Sequence, residues 1–257
     1  MNKVVPPARR LLCVVFSALV IAAIPHCAAA AVLSIDSVTR LSTTSQANLT
    51  NGNADWAYWA PTTTAIPTPV APTNRKLNGS IISSLDKVGG TTLRGSSTAT
   101  TVEQYTYSDG TNPPSATSAS LAGLIFNSDI GTTVGNGKGV SLTLTGDPTA
   151  PRVANLYFGG FGATGVLTLT LNGATTVIDS SQIFTSTSPK HIAIYSVRYQ
   201  PDSASDLLTV QYTASAVTDT ANGHVGAQAV TVAVPEPATL SLAAAGLLLL
   251  ARRRRNR

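Results

Sequence analysis

Through the interior of the chain recur short runs that alternate apolar and polar residues with a period of two or are rich in β-branched ones, separated by turn residues. The runs are Val32 to Val38, Thr101 to Tyr107, Leu121 to Phe126, Val140 to Thr145, Val153 to Phe158, Val166 to Leu171, Thr175 to Ile178, Ile192 to Tyr199, Leu207 to Thr213 and Ala227 to Ala233. Each is rich in β-branched or aromatic residues and short enough to read as a strand. Ser108-Asp109-Gly110, Asn112-Pro113-Pro114, Gly135-Asn136-Gly137, Gly146-Asp147-Pro148, Asn172-Gly173 and Asn222-Gly223 stand between them as turn signals. Leu167, Leu169 and Leu171 share one face with Thr168 and Thr170 on the other, and Asn172-Gly173 follows at once. That pattern predicts a hairpin closed by a two-residue type I′ turn, because Asn-Gly accepts positive φ. No interior stretch keeps a helical period over three turns. About ten short strands predict an all-β chain folded as a two-sheet antiparallel β-sandwich, one domain over residues 31–233. Only the proline- and threonine-rich stretch from Pro61 to Pro72 departs from it, and it reads as coil or an edge excursion.

Both ends break the alternation. Lys3, Arg9 and Arg10 precede an apolar run from Leu11 to Ile24, and Ala28-Ala29-Ala30 follows. This is the plan of a secretory signal peptide over residues 1–30, cut after Ala30, with the Sec export machinery and signal peptidase as partners. A retained membrane anchor would need a longer apolar run. A lipidated Cys27 would need a small residue in front of it, where His26 stands. Cys13 and Cys27 both fall in the segment to be removed, so the mature domain is expected to hold no thiol, disulfide or thiolate metal site.

At the other end, Ala238 to Ala251 is an unbroken small and apolar stretch followed by Arg252, Arg253, Arg254 and Arg255. As a helix it would span about 21 Å, against roughly 30 Å of hydrocarbon. Arginine snorkelling and local thinning reduce the shortfall, and the positive-inside rule keeps the arginines cytoplasmic. The order Val234-Pro235-Glu236-Pro237, short apolar helix, arginine cluster resembles the PEP-CTERM sorting signal of Gram-negative bacteria. The resemblance implies a sorting segment over residues 234–257, with a transmembrane sorting helix at 238–251. It implies recognition of Pro235, Glu236 and Pro237 by an exosortase, an integral-membrane cysteine transpeptidase, with the arginines as membrane-retention signal. The protein would be an inner-membrane-anchored precursor, transiently held, then delivered to the cell surface or outside. Two prolines suit the motif to a protease, since they keep the segment extended and out of the helix that follows.

The net charge of +5 invites a nucleic-acid reading, and the positions of the charges remove it. Eight of the 17 basic residues lie in the two terminal segments, leaving nine against eleven acids between residues 31 and 233. A mildly acidic domain offers no basic footprint for a phosphate backbone.

A second resemblance covers the interior. Asp55-Trp56-Ala57-Tyr58-Trp59, Asn74-Arg75-Lys76, Tyr107-Ser108-Asp109-Gly110, Gly137-Lys138-Gly139, the Arg152 to Gly159 run, Ile194-Tyr195 and Leu208-Thr209-Val210 are similar to a bacterial extracellular domain with an Asp-Trp-x-x-Trp-Gly start. The resemblance implies a jelly-roll of galactose-binding-like type and no defined activity. Ala60 stands where that pattern has glycine.

Candidate chemistry is sparse. Gly135-Asn136-Gly137-Lys138-Gly139 lacks the first glycine and the Ser or Thr of a phosphate loop and reads as a turn. His191 and His224 are far apart in sequence, no Gly-x-Ser-x-Gly elbow is present, and nothing pairs Glu103 with an aspartate for glycosidase work. No catalytic residue, cofactor or metal ligand is therefore assigned. Asp109, Asn112, Asn127 and Asp129 are calcium-type residues without regular spacing. Trp56, Tyr58 and Trp59 are the candidate glycan contacts, with Trp56 and Tyr58 on one strand face and Trp59 on the other. The expectation is an exported, non-catalytic surface or extracellular-matrix protein, associated with exopolysaccharide or biofilm. Two alternatives stand beside it: a secreted carbohydrate-active hydrolase, and a permanently membrane-anchored binding protein.

Overall fold

The computed structural model describes residues 31–41, 46–60, 65–90, 92–95, 104–120, 124–127, 137–172, 175–185 and 191–235. The expected signal peptide, Glu236, Pro237, the expected sorting helix and Arg252 to Arg255 lie outside the described residues. The first half of the chain holds β1 (Val32–Arg40), β2 (Gln46–Asn48), β3 (Asp55–Tyr58), β4 (Asn74–Arg75), β5 (Asp86–Val88), β6 (Leu93–Gly95), β7 (Gln104–Tyr107), β8 (Ala116–Ser120) and β9 (Ile125–Asn127). The second half holds the longer strands β10 (Gly139–Thr145), β11 (Arg152–Phe161), β12 (Ala163–Leu171), β13 (Thr175–Phe184), β14 (His191–Gln200), β15 (Leu207–Val217) and β16 (His224–Ala233).

Eight of these strands pair as a nested series: β3 with β16, β10 with β15, β11 with β14 and β12 with β13, all antiparallel. First meets last and fourth meets fifth, so this part of the chain is one long antiparallel hairpin rolled over on itself. Rolling brings β16 beside β11 and β15 beside β12. The result is two facing sheets, β1-β14-β11-β16-β3-β4 with β9 and β6 attached, and β13-β12-β15-β10-β5. That winding is the jelly roll. The all-β sandwich expected from the alternation is thus the fold observed.

The core lies between the two sheets. Ala154, Leu156 and Phe158 of β11 and Tyr195, Val197 and Tyr199 of β14 face Leu167, Leu169 and Leu171 of β12 and Leu208, Val210 and Tyr212 of β15. Every one is buried, each set at period two. β16 reaches this core by a device the alternation did not reveal. Val225 and Ala227 point inward, but so do Val230 and Val232, and the parity changes because the pairing with β11 slips between Tyr157 and Phe158. Gln228 is the extra residue of a β-bulge, without which Val230 and Val232 would turn to the other face.

A third layer was also not foreseen. The small sheet β2-β7-β8, with β2 parallel to β7, supplies Tyr105 and Tyr107 to a second core on the outer face of the larger sheet. Leu49, Trp56, Tyr58, Leu124, Tyr157, Ile192 and Ala229 complete it. The Asn172 hairpin is present, with Asn172 at φ 58°, but the register places Leu171 opposite Thr175 and leaves a three-residue loop. The expected two-residue turn is corrected accordingly. β13 also runs on to Phe184, well past the Ile178 at which the alternating pattern ends. From 65 to 72 the proline-rich stretch is coil, bridged to the rest of the fold at Ile66 to Leu93 and Val70 to Leu85, with the Ile66 and Val70 side chains buried in the main core.

Candidate functional site: the aromatic motif and the exit of the tail

The structure overturns the glycan-contact reading of the aromatic motif. Trp56 and Trp59 have no exposed surface and Tyr58 is 5% exposed, so no ring offers a face on which a sugar could stack. The expected division of faces does hold. Trp59 enters the main core and donates Nε1–H to the Val70 carbonyl at 3.1 Å, while Trp56 and Tyr58 enter the second core. Trp56 packs on Tyr107 with ring centroids 4.8 Å apart and donates Nε1–H to Asp109 Oδ1 at 2.7 Å.

Asp55 at the head of the motif is fully buried, and its role is to accept. Oδ1 takes the Trp56 N–H at 2.8 Å, and Oδ2 takes those of Ile81 at 2.8 Å and Ile82 at 3.1 Å, with Arg75 Nη2 at 3.3 Å. It thereby ties the 79–82 segment to the start of β3. Burial works against ionisation of Asp109, but hydrogen bonds from Lys76 and Trp56 outweigh it and hold the carboxyl below its ordinary value. Burial raises the Tyr58 hydroxyl above its ordinary value, and the neighbouring Tyr107 hydroxyl adds to the shift.

The calcium-type residues do not converge. Asp109 is taken by Lys76 and Trp56. Asn127 donates its amide to the carbonyls of Val88 and Gly89, and the Asn112 N–H is bonded to Asn74 Oδ1. Asp129 lies outside the described residues, and among the described residues no group of three or more His, Cys, Asp or Glu side chains could hold a metal. His224 sits between Phe126 and Phe161 with Nδ1 2.6 Å from the Asn222 carbonyl oxygen.

The sorting motif begins where the fold ends. Ala233 closes β16, and Val234 and Pro235 are the last described residues. Val234 lies outside the regular ladder, yet both its backbone groups are taken by one side chain. Its N–H donates to Asn53 Oδ1 at 2.9 Å, and its carbonyl accepts from Asn53 Nδ2 at 3.2 Å. The Asn53 amide thus stands in for one more residue of a partner strand, continuing the pairing in which Ala54 N–H donates to the Val232 carbonyl at 3.1 Å. Nothing in the sequence marks a contact between residues so far apart.

The two ends of the domain also lie at the same end of the larger sheet. Ser34, Arg198, Val153 and Ala233 lie on one rung across β1, β14, β11 and β16. Three strand spacings of about 4.8 Å put the first and last strands' outer ends roughly 14 Å apart. The segments expected to meet the membrane therefore leave from the same end of the same sheet. Among the described residues no helix is long and apolar enough to cross a membrane.

Residues 233–255 match the PEP-CTERM protein-sorting motif, which takes in Val234, Pro235, Glu236, Pro237 and Arg252 to Arg255. No curated protein and no solved structure matches the chain.

Proposed function

From a chain that carries a PEP-CTERM sorting signal, and so is exported and sorted to the cell surface by an exosortase, we propose a non-catalytic surface or extracellular-matrix protein. The observation that carries this reading is the junction itself: a closed jelly roll ends at Ala233 and the sorting motif starts within two residues, leaving the domain as the delivered cargo. Supporting the non-catalytic part, Asp55, Asp109 and Asn74 are committed to holding loops together. Association with exopolysaccharide is part of the proposal, through a surface other than Trp56, Tyr58 and Trp59.

The mass of the exported product tests the sorting half. Loss of Arg252 to Arg255 together with residues 1–30 is expected, and a product that keeps the arginines would favour the permanently anchored alternative. Co-sedimentation of the purified domain with the cell's own polysaccharide tests the second half, and turnover of glycan or ester substrates would favour the hydrolase.

A further inference from the structure

We propose that Asn53 is a positioning residue for removal of the tail: its clamp on Val234 holds the domain close against the membrane and limits the segment an exosortase can engage. This rests on the sorting reading above. Between Val234 and the apolar run that begins at Ala238 stand only Pro235, Glu236 and Pro237. Fully extended, three residues reach about 10 Å. The headgroup layer on one side of a bilayer takes up about 5–8 Å of that. With Val234 locked to Asn53, about 2–5 Å of that reach is left between the end of the jelly roll and the headgroups.

An enzyme that binds substrate as an extended strand uses the backbone N–H and C=O of the residues it holds. At Val234 both are already bonded to Asn53, so the free segment starts at Pro235, which has no N–H to offer. Releasing the clamp frees Val234 and, by fraying, Ala233. Each adds about 3.3 Å of reach and restores one backbone donor. The clamp is also a product of folding. Asn53 precedes β3 and Val234 follows β16, the first and last strands of the nested series, so the two meet when the roll closes. The tail then has long reach on the unfolded chain and short reach on the folded one.

The full chain is expressed in a Gram-negative host that carries an exosortase, as wild type, Asn53→Ala, and each with eight Gly-Ser residues inserted after Val234. Tail removal is followed by pulse-chase and product mass, and amide exchange at Val234 is measured on the purified protein. Val210→Ala, a substitution in the core face of the other sheet, controls for general loss of stability. Two ordinary hydrogen bonds at an exposed end predict roughly 5- to 30-fold faster exchange at Val234 and a several-fold faster tail removal in Asn53→Ala. The insertion should speed the wild type and erase the difference between the two. Equal or slower removal in Asn53→Ala, or equal acceleration by Val210→Ala, overturns the proposal while normal trimming of the wild type leaves the sorting reading intact. A wild type that keeps Arg252 to Arg255 overturns both.

Discussion

Asp55→Asn changes one buried atom and should cost the domain a large part of its stability. The carboxylate is fully buried and takes four donors, three of them backbone N–H groups. An asparagine has one acceptor oxygen. Turned toward Ile81 and Ile82, it leaves its own NH2 facing the Trp56 N–H; turned toward Trp56, it leaves the NH2 facing the other three donors. The first arrangement is cheaper and still strands one buried N–H, at about 1–3 kcal/mol. The remaining bonds lose their charge assistance, which adds about 1 kcal/mol. Arg75 contributes little to the sum, because its side chain is 27% exposed and its Nη2 also reaches the Ile82 carbonyl at 3.1 Å. The expected total is about 2–4 kcal/mol, or roughly 5–15 °C in melting temperature for a domain of this size. Asp55→Ala, which strands three N–H groups, should cost more. Thermal and urea unfolding of the exported domain measure both. An asparagine variant within about 1 kcal/mol of wild type, or equal to the alanine variant, would refute the assignment of Asp55 as the acceptor that holds residues 79–82 on β3.

Three further outcomes follow from the same packing. Gly226→Ala puts a Cβ 1.9 Å from the Ile125 carbonyl oxygen, which is backbone and cannot swing aside. It should cost about 2–3 kcal/mol and raise amide exchange across Ile125–Asn127 as β9 leaves β16. Trp59→Ala empties a fully buried site in the main core and should cost about 3–5 kcal/mol in urea unfolding, with the hydrogen bond to Val70 lost as well. Burial pushes the Tyr199 hydroxyl up to about 12 and holds Tyr195 and Tyr212 above their ordinary value. Raised in the folded state, these groups add stability that is intact below pH 10 and is lost as the pH rises from 10 through 12. Absorbance of tyrosinate should therefore appear together with loss of tertiary circular dichroism, and ionisation of these tyrosines near pH 10 in a still-folded domain would refute it.

How much of this was legible depended on whether the signal was local. Leu167, Leu169 and Leu171 alternate within one strand, and Asn172 takes its positive φ from its own side chain, so strand and turn were both readable from neighbours in sequence. The third residue of the loop was not, since the pairing of Leu171 with Thr175 is set by the whole register of β12 against β13. The aromatic motif shows the same limit. Alternation correctly placed Trp56 and Tyr58 opposite Trp59. An outer face of a two-sheet sandwich would have left one of these sets in water; the layer that covers it sets β7, inside the Thr101 to Tyr107 run, between β2 and β8, which no alternating run marked. The bulge at Gln228 and the pairing of Asn53 with Val234 are non-local and left no mark in composition or period.

The nested pairing gives the position of the sorting signal a physical sense. In a nested series whose first strand, β3, pairs with its last, β16 is needed to join β3 to β11, so the larger sheet cannot close until the residues just before Val234 have crossed the membrane. A tail that halts transfer a few residues later holds the chain at the first moment when the whole roll is on the far side. A longer spacer would let the domain drift from the membrane before the motif is read, and a shorter one would leave Val232 and Ala233 unable to reach β3 and β11. On the proposed reading, three residues between the clamp and the apolar run satisfy both limits, and the start of β1 and the end of β16, at the same end of the larger sheet, would let the roll close with both chain ends toward the bilayer.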